Sequence, residues 1–455
     1  MELLIPIITG LAVLLAAPAL PPTWRLSAAL ILSVPQLYLL PVADFYLSLA
    51  FISTLLLWPE LIKESRKLFR QKILVFALAL LIVQALSLFW STDLRLGLRT
   101  IAYSAPFFLI AAATYSISKR NPKLVYTIFS ITTGLMLFQA LLVVTFRLYP
   151  ELEMFYLQSN VSGPLSGPNV IGSLLDDSAR NNVLDPLKAG GVYVNANIAA
   201  SYLGMGSFFA FLTSRINSSF SLFITALLLW ISTLFTGSKA GVMLAIALPL
   251  SAVAFSYYRR HDRPSKSIIL AIVLPATTII LTLAAFAVDS IADNFTFAAA
   301  SIDTASIRLQ IWKYALHAFT DSPILGQGFG GWQQGYATHA LATGMPTGFP
   351  PHNTLIYLWS QSGILAAIFG LAFMFQVMIL AHRLAVSDQR NTRLLGLILA
   401  IAAGWLFIQG MGENSGHLGD PRQQAIFAAL VGLAYATLRG QCVVSTSTNR
   451  QKNPT

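Results

Sequence analysis

Residues 349–381 read FPPHNTLIYLWSQSGILAAIFGLAFMFQVMILA, a polar lead-in fixed by two prolines and then a run, from Thr354 on, without a single Asp, Glu, Lys or Arg. As a helix such a run covers the roughly 30 Å of a bilayer's hydrocarbon core. The same pattern recurs along the chain, with apolar segments near 3–20, 26–41, 43–61, 73–90, 99–117, 124–146, 196–213, 220–236, 240–256, 267–287, 354–381, 394–411 and 423–438. With 56% hydrophobic and 10% charged residues over 455 positions, the chain is too apolar for a soluble globule. It reads as an all-α polytopic membrane protein, one integral membrane domain over 1–455 with about twelve transmembrane helices. Pro35 and Pro41 make the early region either two short spans or one broken one, which leaves the side of the N-terminus open.

A formal charge of +11 raises the question of nucleic acid, but the basic residues lie in short loops between spans. The positive-inside rule accounts for them, and no nucleic-acid partner is expected. Alternating loops carry Lys63, Arg66, Lys67, Arg70 and Lys72, then Lys119, Arg120 and Lys123, then Arg215, then Arg259, Arg260, Arg263 and Lys266, and these are assigned to the cytoplasm. The intervening loops hold most of the acids and include both long ones, 147–195 and 288–353. These two long loops therefore face outward, to the periplasm in a bacterium. The single cysteine, Cys442, offers no internal disulfide and no thiolate metal cluster. Ala16-Ala17-Pro18-Ala19 faintly resembles a cleavage site, but no basic region precedes it and another apolar segment follows, so the first segment is expected to be retained as a span.

The 288–353 loop is the longest polar interruption and the first place to look for chemistry. Ser306–Phe319 lacks Gly and Pro, with Ser306 as an N-cap and Pro323 as a stop, which predicts a helix of three to four turns. Arg308 and Trp312 stand at i and i+4 on it, with Ala315 and Phe319 continuing the stripe. A guanidinium on such a face needs an anion, or it snorkels to lipid phosphates. Gly326-Gln327-Gly328-Phe329-Gly330-Gly331 superficially resembles a dinucleotide fingerprint but lacks the preceding strand, and it reads as a turn. His352, at the re-entry into the membrane, is suited to general base catalysis or to a structural role at a helix start. His317, His339 and His417 lie on the same outer side and compete with it.

Three further outward points complete the candidate set. Thr236-Gly237-Ser238-Lys239-Ala240-Gly241 is a tight reversal with the Lys239 cation at its tip, a hairpin turn with a headgroup-binding lysine or part of a site. Asn195 and Asn197 open a span, either as caps or as hydrogen-bonding partners for a sugar. Glu413 and Arg422, in the last outer loop, either pair with each other or line the same cavity. Asp176 and Asp177 are adjacent, so their side chains diverge in an extended segment, and no metal centre is expected from them.

Taken together, Ser306-x-Arg308-x-x-x-Trp312, Ser322-Pro323-Ile324-Leu325-Gly326-Gln327-Gly328, Pro351-His352-Asn353 and Ser362-Gly363-Ile364-Leu365 resemble the O-antigen ligase and polymerase family, over roughly 190–370. The resemblance implies a metal-independent, cofactor-free membrane glycosyltransferase of the C-type superfamily. Such an enzyme takes a glycan from undecaprenyl pyrophosphate at the outer face of the inner membrane and passes it to the lipid A core or to a carrier-linked glycan. It implies Arg308 and His352 as the catalytic core, with Lys239, Trp312, Asn195, Asn197, Asn353, Glu413 and Arg422 as substrate-binding candidates. The family commonly has Ser-Arg-Gly or Ser-Arg-Ala where this chain has Ser238-Lys239-Ala240, and Asn-Pro-Asn where it has Asn195-Ala196-Asn197.

No phosphate-binding P-loop occurs in the sequence, and an outer face has no ATP, so the substrate must arrive already activated. Pyrophosphate leaving without a divalent ion needs cations, for which Arg308 and Lys239 qualify, and the attacking hydroxyl needs a base, for which His352 qualifies. In-line attack implies inversion. A transporter of lipid-linked sugars shares the polytopic build, but no internal repeat is visible and the charges gather at span ends.

Overall fold

The computed structural model describes residues 4–42, 45–175, 185, 187–259, 295–345, 347–413 and 418–440. The chain begins with α1 (Leu4–Ala16) and α2 (Pro22–Leu32), then an antiparallel hairpin of β1 (Tyr38–Val42) and β2 (Phe45–Ser48). After it come α3 (Leu49–Leu55), α4 (Trp58–Leu68), α5 (Lys72–Ser87), α6 (Leu94–Ala102), α7 (Ala105–Arg120) and α8 (Pro122–Leu148). The first long loop carries α9 (Pro150–Leu157), α10 (Ser162–Ser166) and α11 (Pro168–Leu175). Next are α12 (Ala196–Asn217), α13 (Phe220–Phe235) and α14 (Lys239–Arg259). The second long loop contributes α15 (Phe295–Asp321) and α16 (Trp332–Thr343), and α17 (Thr354–Ala385), α18 (Arg390–Gly410) and α19 (Pro421–Leu438) complete the described helices.

Among the described residues, seven helices are long and apolar enough to cross a membrane: Lys72–Trp90, Leu94–Arg120, Pro122–Leu148, Ala196–Asn217, Lys239–Tyr257, Thr354–Ala385 and Arg390–Gly410. The protein is thus nearly all helical and multi-pass, while other expected spans take different forms. The 26–41 and 43–61 segments are not single helices: each joins a short helix, α2 or α3, to one strand of the hairpin. The described part of α1 is thirteen residues, about 20 Å long, and it is not among the seven. The expected span at 267–287 lies outside the described residues.

Helix starts follow the sequence's own signals. Asp93, Asn121, Asn195, Ser219, Asn353 and Asp420 each accept a backbone N–H from the first turn behind them, and Asp420 with Gln423 forms a capping box. In lipid, apolar surface gives helices no reason to associate, so close backbone packing and polar contacts take over. Gly204 of α12 faces the Trp405 ring, and Gly432 of α19 faces the Ala111 carbonyl of α7. Phe107 stacks on Phe427 at 5.9 Å between α7 and α19. Buried Arg25 and Glu60, 2.6 Å apart, tie α2 to α4, and removing either would strand the other's charge.

The Gly-rich string is a turn, as its composition predicts, and it performs a specific structural task. Helix α17 breaks at Gly363 (φ +77°), which separates the Ser360 carbonyl from the Ile364 N–H that would otherwise bond to it. Both groups are taken up by the 323–327 turn: Gln327 N donates to Ser360 O (2.8 Å) and Ile364 N to Pro323 O (3.3 Å). Gln361 Oε1 accepts from Gly330 N at 2.7 Å, and Ser91 Oγ donates to Phe329 O at 2.7 Å. Gly326, Gly328 and Gly330 all have positive φ. A Cβ at Gly363 would collide with the Ile324 carbonyl. Gly363→Ala is therefore expected to cost about 3 kcal/mol or more, from left-handed strain plus the clash, seen as lost yield and lower thermal stability of purified protein.

Candidate functional site

Three elements meet around the candidate residues: the helix that carries Arg308, the start of the helix that His352 precedes, and the end of α18. Helix α15 runs from Phe295 rather than starting at 306, so Ser306 lies inside it and is not its N-cap. It ends at Asp321, two residues before Pro323 as the stop signal predicts. Ile311 and Ala315 are buried against Trp332, Tyr336 and Ala340 of α16, so this helix packs on protein rather than lying bare on lipid. From it Arg308 reaches across to the end of α18, where its Nη2 donates to Glu413 Oε1 at 2.9 Å. The guanidinium thus has the anion that its apolar stripe calls for.

His352 comes to the same carboxylate from the start of α17. Its Nδ1 stands 3.7 Å from Glu413 Oε2, an electrostatic contact beyond hydrogen-bond reach. The Arg308, Glu413 and His352 side chains are 31%, 21% and 20% exposed, so the cluster is framed by protein yet open to a substrate. The imidazole's position is built by its neighbours. Trp312 Nε1 donates to Pro351 O (2.8 Å) and Trp332 Nε1 to Phe349 O (3.0 Å), clamping the carbonyls just before it. Asn353 caps α17 through Oδ1 while its Nδ2 donates to Met411 O at 3.2 Å, two residues from Glu413. Between these anchors His352 has φ +49°, a left-handed value uncommon for a side-chain-bearing residue.

The competing histidines have other surroundings. His317 is exposed and pairs with Asp321 one turn on (3.4 Å), and His339 stacks on Tyr314 at 4.8 Å. His417 lies outside the described residues.

Other candidates divide between scaffold and surface. Asn195 is a cap, accepting from Asn197 N and Ile198 N. Asn197 Oδ1 accepts from buried Ser238 Oγ at 2.6 Å, and Gln409 Nε2 donates to Asn197 O at 2.8 Å. Glu413 N in turn donates to Gln409 O at 2.8 Å, so these amides link the start of α12 and the 236–241 reversal to the acid of the cluster. Lys239 is exposed at the first position of α14.

Glu413 and Arg422 do not pair with each other: Arg308 takes the first, and Asp420 the second at 3.4 Å. Buried Arg422 also donates to Tyr38 Oη (3.3 Å) and sits 4.4 Å over the Tyr193 ring. Among the described residues no three His, Cys, Asp or Glu side chains gather in a metal-binding group, and Asp176 and Asp177 lie outside them.

Trp332 and Gln409 position the site and carried no sequence signal. Nor did the strap at 189–195, which leads into Asn195. Gln139 of α8 donates to Gly190 O (2.8 Å) and accepts from Val192 N (3.1 Å), while Ser166 Oγ donates to Val192 O (2.7 Å). Under the strap Glu153 is 4% exposed, with one contact to the Gly190 backbone and an Oε1 that meets no partner among the described residues. Burial pushes its carboxyl up to about 8, only partly offset by that backbone hydrogen bond.

The unfolded carboxyl ionises near its ordinary value, so between there and pH 8 the folded state holds the extra proton and stability falls as pH rises. Folding stability is expected to drop by an amount on the order of 4 kcal/mol between pH 5 and pH 8.5, and Glu153→Gln to remove most of that slope. A melting series over that range, wild type beside variant, checks it.

The fold and site define a multi-pass helical membrane protein with a cation, a carboxylate and an imidazole converging beside a helix that re-enters the membrane. Residues 224–371, about a third of the chain, match the family model described as O-antigen ligase, which supports placing the protein in the O-antigen ligase and polymerase family, a group of membrane glycosyltransferase-like proteins. The matched stretch contains Lys239, Arg308, Trp312, His352 and Asn353, whereas Asn195, Asn197, Glu413 and Arg422 fall outside it. No curated protein matches the chain.

Proposed function

We propose that the protein transfers a glycan from undecaprenyl pyrophosphate to the lipid A core, at the periplasmic side of the bacterial inner membrane, by a metal-independent, inverting displacement. The observation that carries this reading is the Arg308–Glu413–His352 cluster, two of whose members lie within the stretch matching the O-antigen ligase family. His352 accepts the acceptor hydroxyl's proton as its oxygen bonds to the anomeric carbon. The bond from that carbon to the phosphate oxygen breaks, and the electron pair leaves with the carrier pyrophosphate. Arg308 meets the charge developing there, with exposed Lys239 as a second cation at a nearby span end. Lys239 serves as a point charge and not as a bidentate fork. Trp312 and Asn353 hold the His352 loop through the hydrogen bonds described above.

The same chemistry with a carrier-linked acceptor would make a polymerase, and the lipopolysaccharide profile of a deletion strain separates the two. Bare core with accumulated long carrier-linked glycan is the result expected of a ligase, and core bearing a single repeat that of a polymerase. Wild-type sequence should restore the profile and His352→Ala should not. Activity is also expected to persist in excess chelator. Loss in chelator that magnesium restores would overturn the metal-independent displacement.

A further inference from the structure

Glu413 faces two partners and reaches only one. Its Oε1 is 2.9 Å from Arg308 Nη2, while Oε2 stops 3.7 Å from His352 Nδ1. That nitrogen is shielded from solvent and has no hydrogen-bond partner among the described residues, and the same holds for Arg308 Nε. The backbones around the gap are fixed by the bonds of Glu413 N to Gln409 O, Asn353 Nδ2 to Met411 O and Trp312 Nε1 to Pro351 O. What remains adjustable is the glutamate side chain, with three rotatable bonds. The resting site therefore contains one strong pair, one bond left unmade, and a free guanidinium edge.

We propose that Glu413 is a donor-operated switch: it neutralises Arg308 in the empty site, and when the donor's pyrophosphate takes the guanidinium, the carboxylate turns to His352 Nδ1. This rests on the transferase reading of the site. A pyrophosphate carries more charge than a carboxylate and offers oxygens to both Nη2 and Nε, so it is the better partner for a planar guanidinium. The displaced carboxylate then fixes the imidazole with Nε2 facing the acceptor and compensates the charge the ring gains with the proton, as a buried acid does in a catalytic triad. The base would thus be completed only when a donor is present. Glu413 is a positioning residue here, acting through Arg308 and His352.

The switch predicts opposite effects on binding and turnover when its charge is removed. Glu413→Gln takes away the competitor for Arg308 and also the anion that supports His352. Binding of farnesyl pyrophosphate, as a headgroup probe, is measured on the full chain in nanodiscs, with farnesol as the uncharged control. Turnover is followed as carrier pyrophosphate released from an undecaprenyl-pyrophosphate-linked glycan. Glu413→Gln is expected to bind farnesyl pyrophosphate at least about threefold tighter, with farnesol unaffected. Its turnover is expected to fall at least about tenfold.

Unchanged or weaker pyrophosphate binding overturns the switch, and so does unchanged turnover. Should the neutral variant not fold, Glu413→Asp keeps the charge on an arm one methylene shorter. It is expected to show the same split, and parallel loss of binding and turnover in it overturns the switch as well. His352→Ala separates the two levels: normal turnover in that variant removes the transferase reading, whereas a dead His352→Ala beside an unsplit Glu413 variant removes the switch alone.

Discussion

Replacing His352 by alanine is expected to lower turnover at least about a hundredfold, the range lost when a general base is removed. The hydroxyl of a sugar is a poor nucleophile until its proton has somewhere to go. The variant should still fold, because the bonds that shape this loop come from its neighbours and not from the ring, which makes an edge contact with Phe349 at 5.8 Å and faces Glu413. The loop around it keeps the two indole bonds to Pro351 O and Phe349 O and the Asn353 cap. Donor binding should weaken far less than turnover, since the imidazole acts on the acceptor and touches the donor step only as the partner to which displaced Glu413 turns. Initial rates with carrier-linked glycan as donor, on variant protein with a wild-type melting profile, check this. Normal turnover by that protein takes His352 out of the mechanism.

Arg308→Ala is expected to cost at least about as much, a hundredfold or more, through the leaving group. Pyrophosphate accumulates charge as the glycosidic bond breaks, and Arg308 is the cation held at the cluster by a 2.9 Å bond to Glu413. Unlike His352→Ala, this change should also weaken donor binding, because the guanidinium meets the headgroup before and during the reaction. Arg308→Lys should recover only part of the loss: an ammonium keeps the charge but not the planar pair of donors. Steady-state parameters for the two variants, side by side with farnesyl pyrophosphate binding, test the distinction. Full activity in Arg308→Lys would mean that charge alone suffices.

The class of protein was legible from hydropathy because a bilayer imposes length on each helix, and the long uncharged run from Thr354 to Ala381 meets that requirement alone. The start of the chain was not legible in the same way. Segments 26–41 and 43–61 have the composition of spans, yet Pro35 and Pro41 interrupt the first and the chain turns back through a hairpin that joins it to the second. Periodicity over so few residues does not separate a short strand from a short buried helix. The helix Pro421–Leu438 was found, although its small and polar residues leave it outside the seven helices apolar enough to cross a membrane. It is enclosed by protein, with nearly every residue from Arg422 to Ala436 buried, so it has little need of lipid-facing surface.

At the site, the local signals were readable and the distant pairings were not. Asn353 was singled out beside His352 as a binding candidate, and it proves to cap α17 and to hold Met411 O. The partner of Arg308 lies 105 residues away in sequence, and Glu413 had an equally plausible local partner in Arg422. Charge alone gives no preference between two such cations; the choice is made by Asp420, which caps α19 and holds Arg422. Likewise the Ser322–Gly328 and Ser362–Leu365 pieces read as separate motifs, and only the exchanged bonds at Ser360 and Ile364 make them one unit. That unit supports the helix that follows His352.

The most direct test of the central claim is release of carrier pyrophosphate by purified protein in detergent, where no vectorial transport contributes. An undecaprenyl-pyrophosphate-linked glycan is supplied with lipid A core acceptor, and wild type is run beside folded His352→Ala. The account predicts that wild type frees the carrier pyrophosphate and transfers the glycan while the variant does neither at more than about a hundredth of that rate. Equal release by both, or no release by wild type with donor and acceptor present, would contradict it.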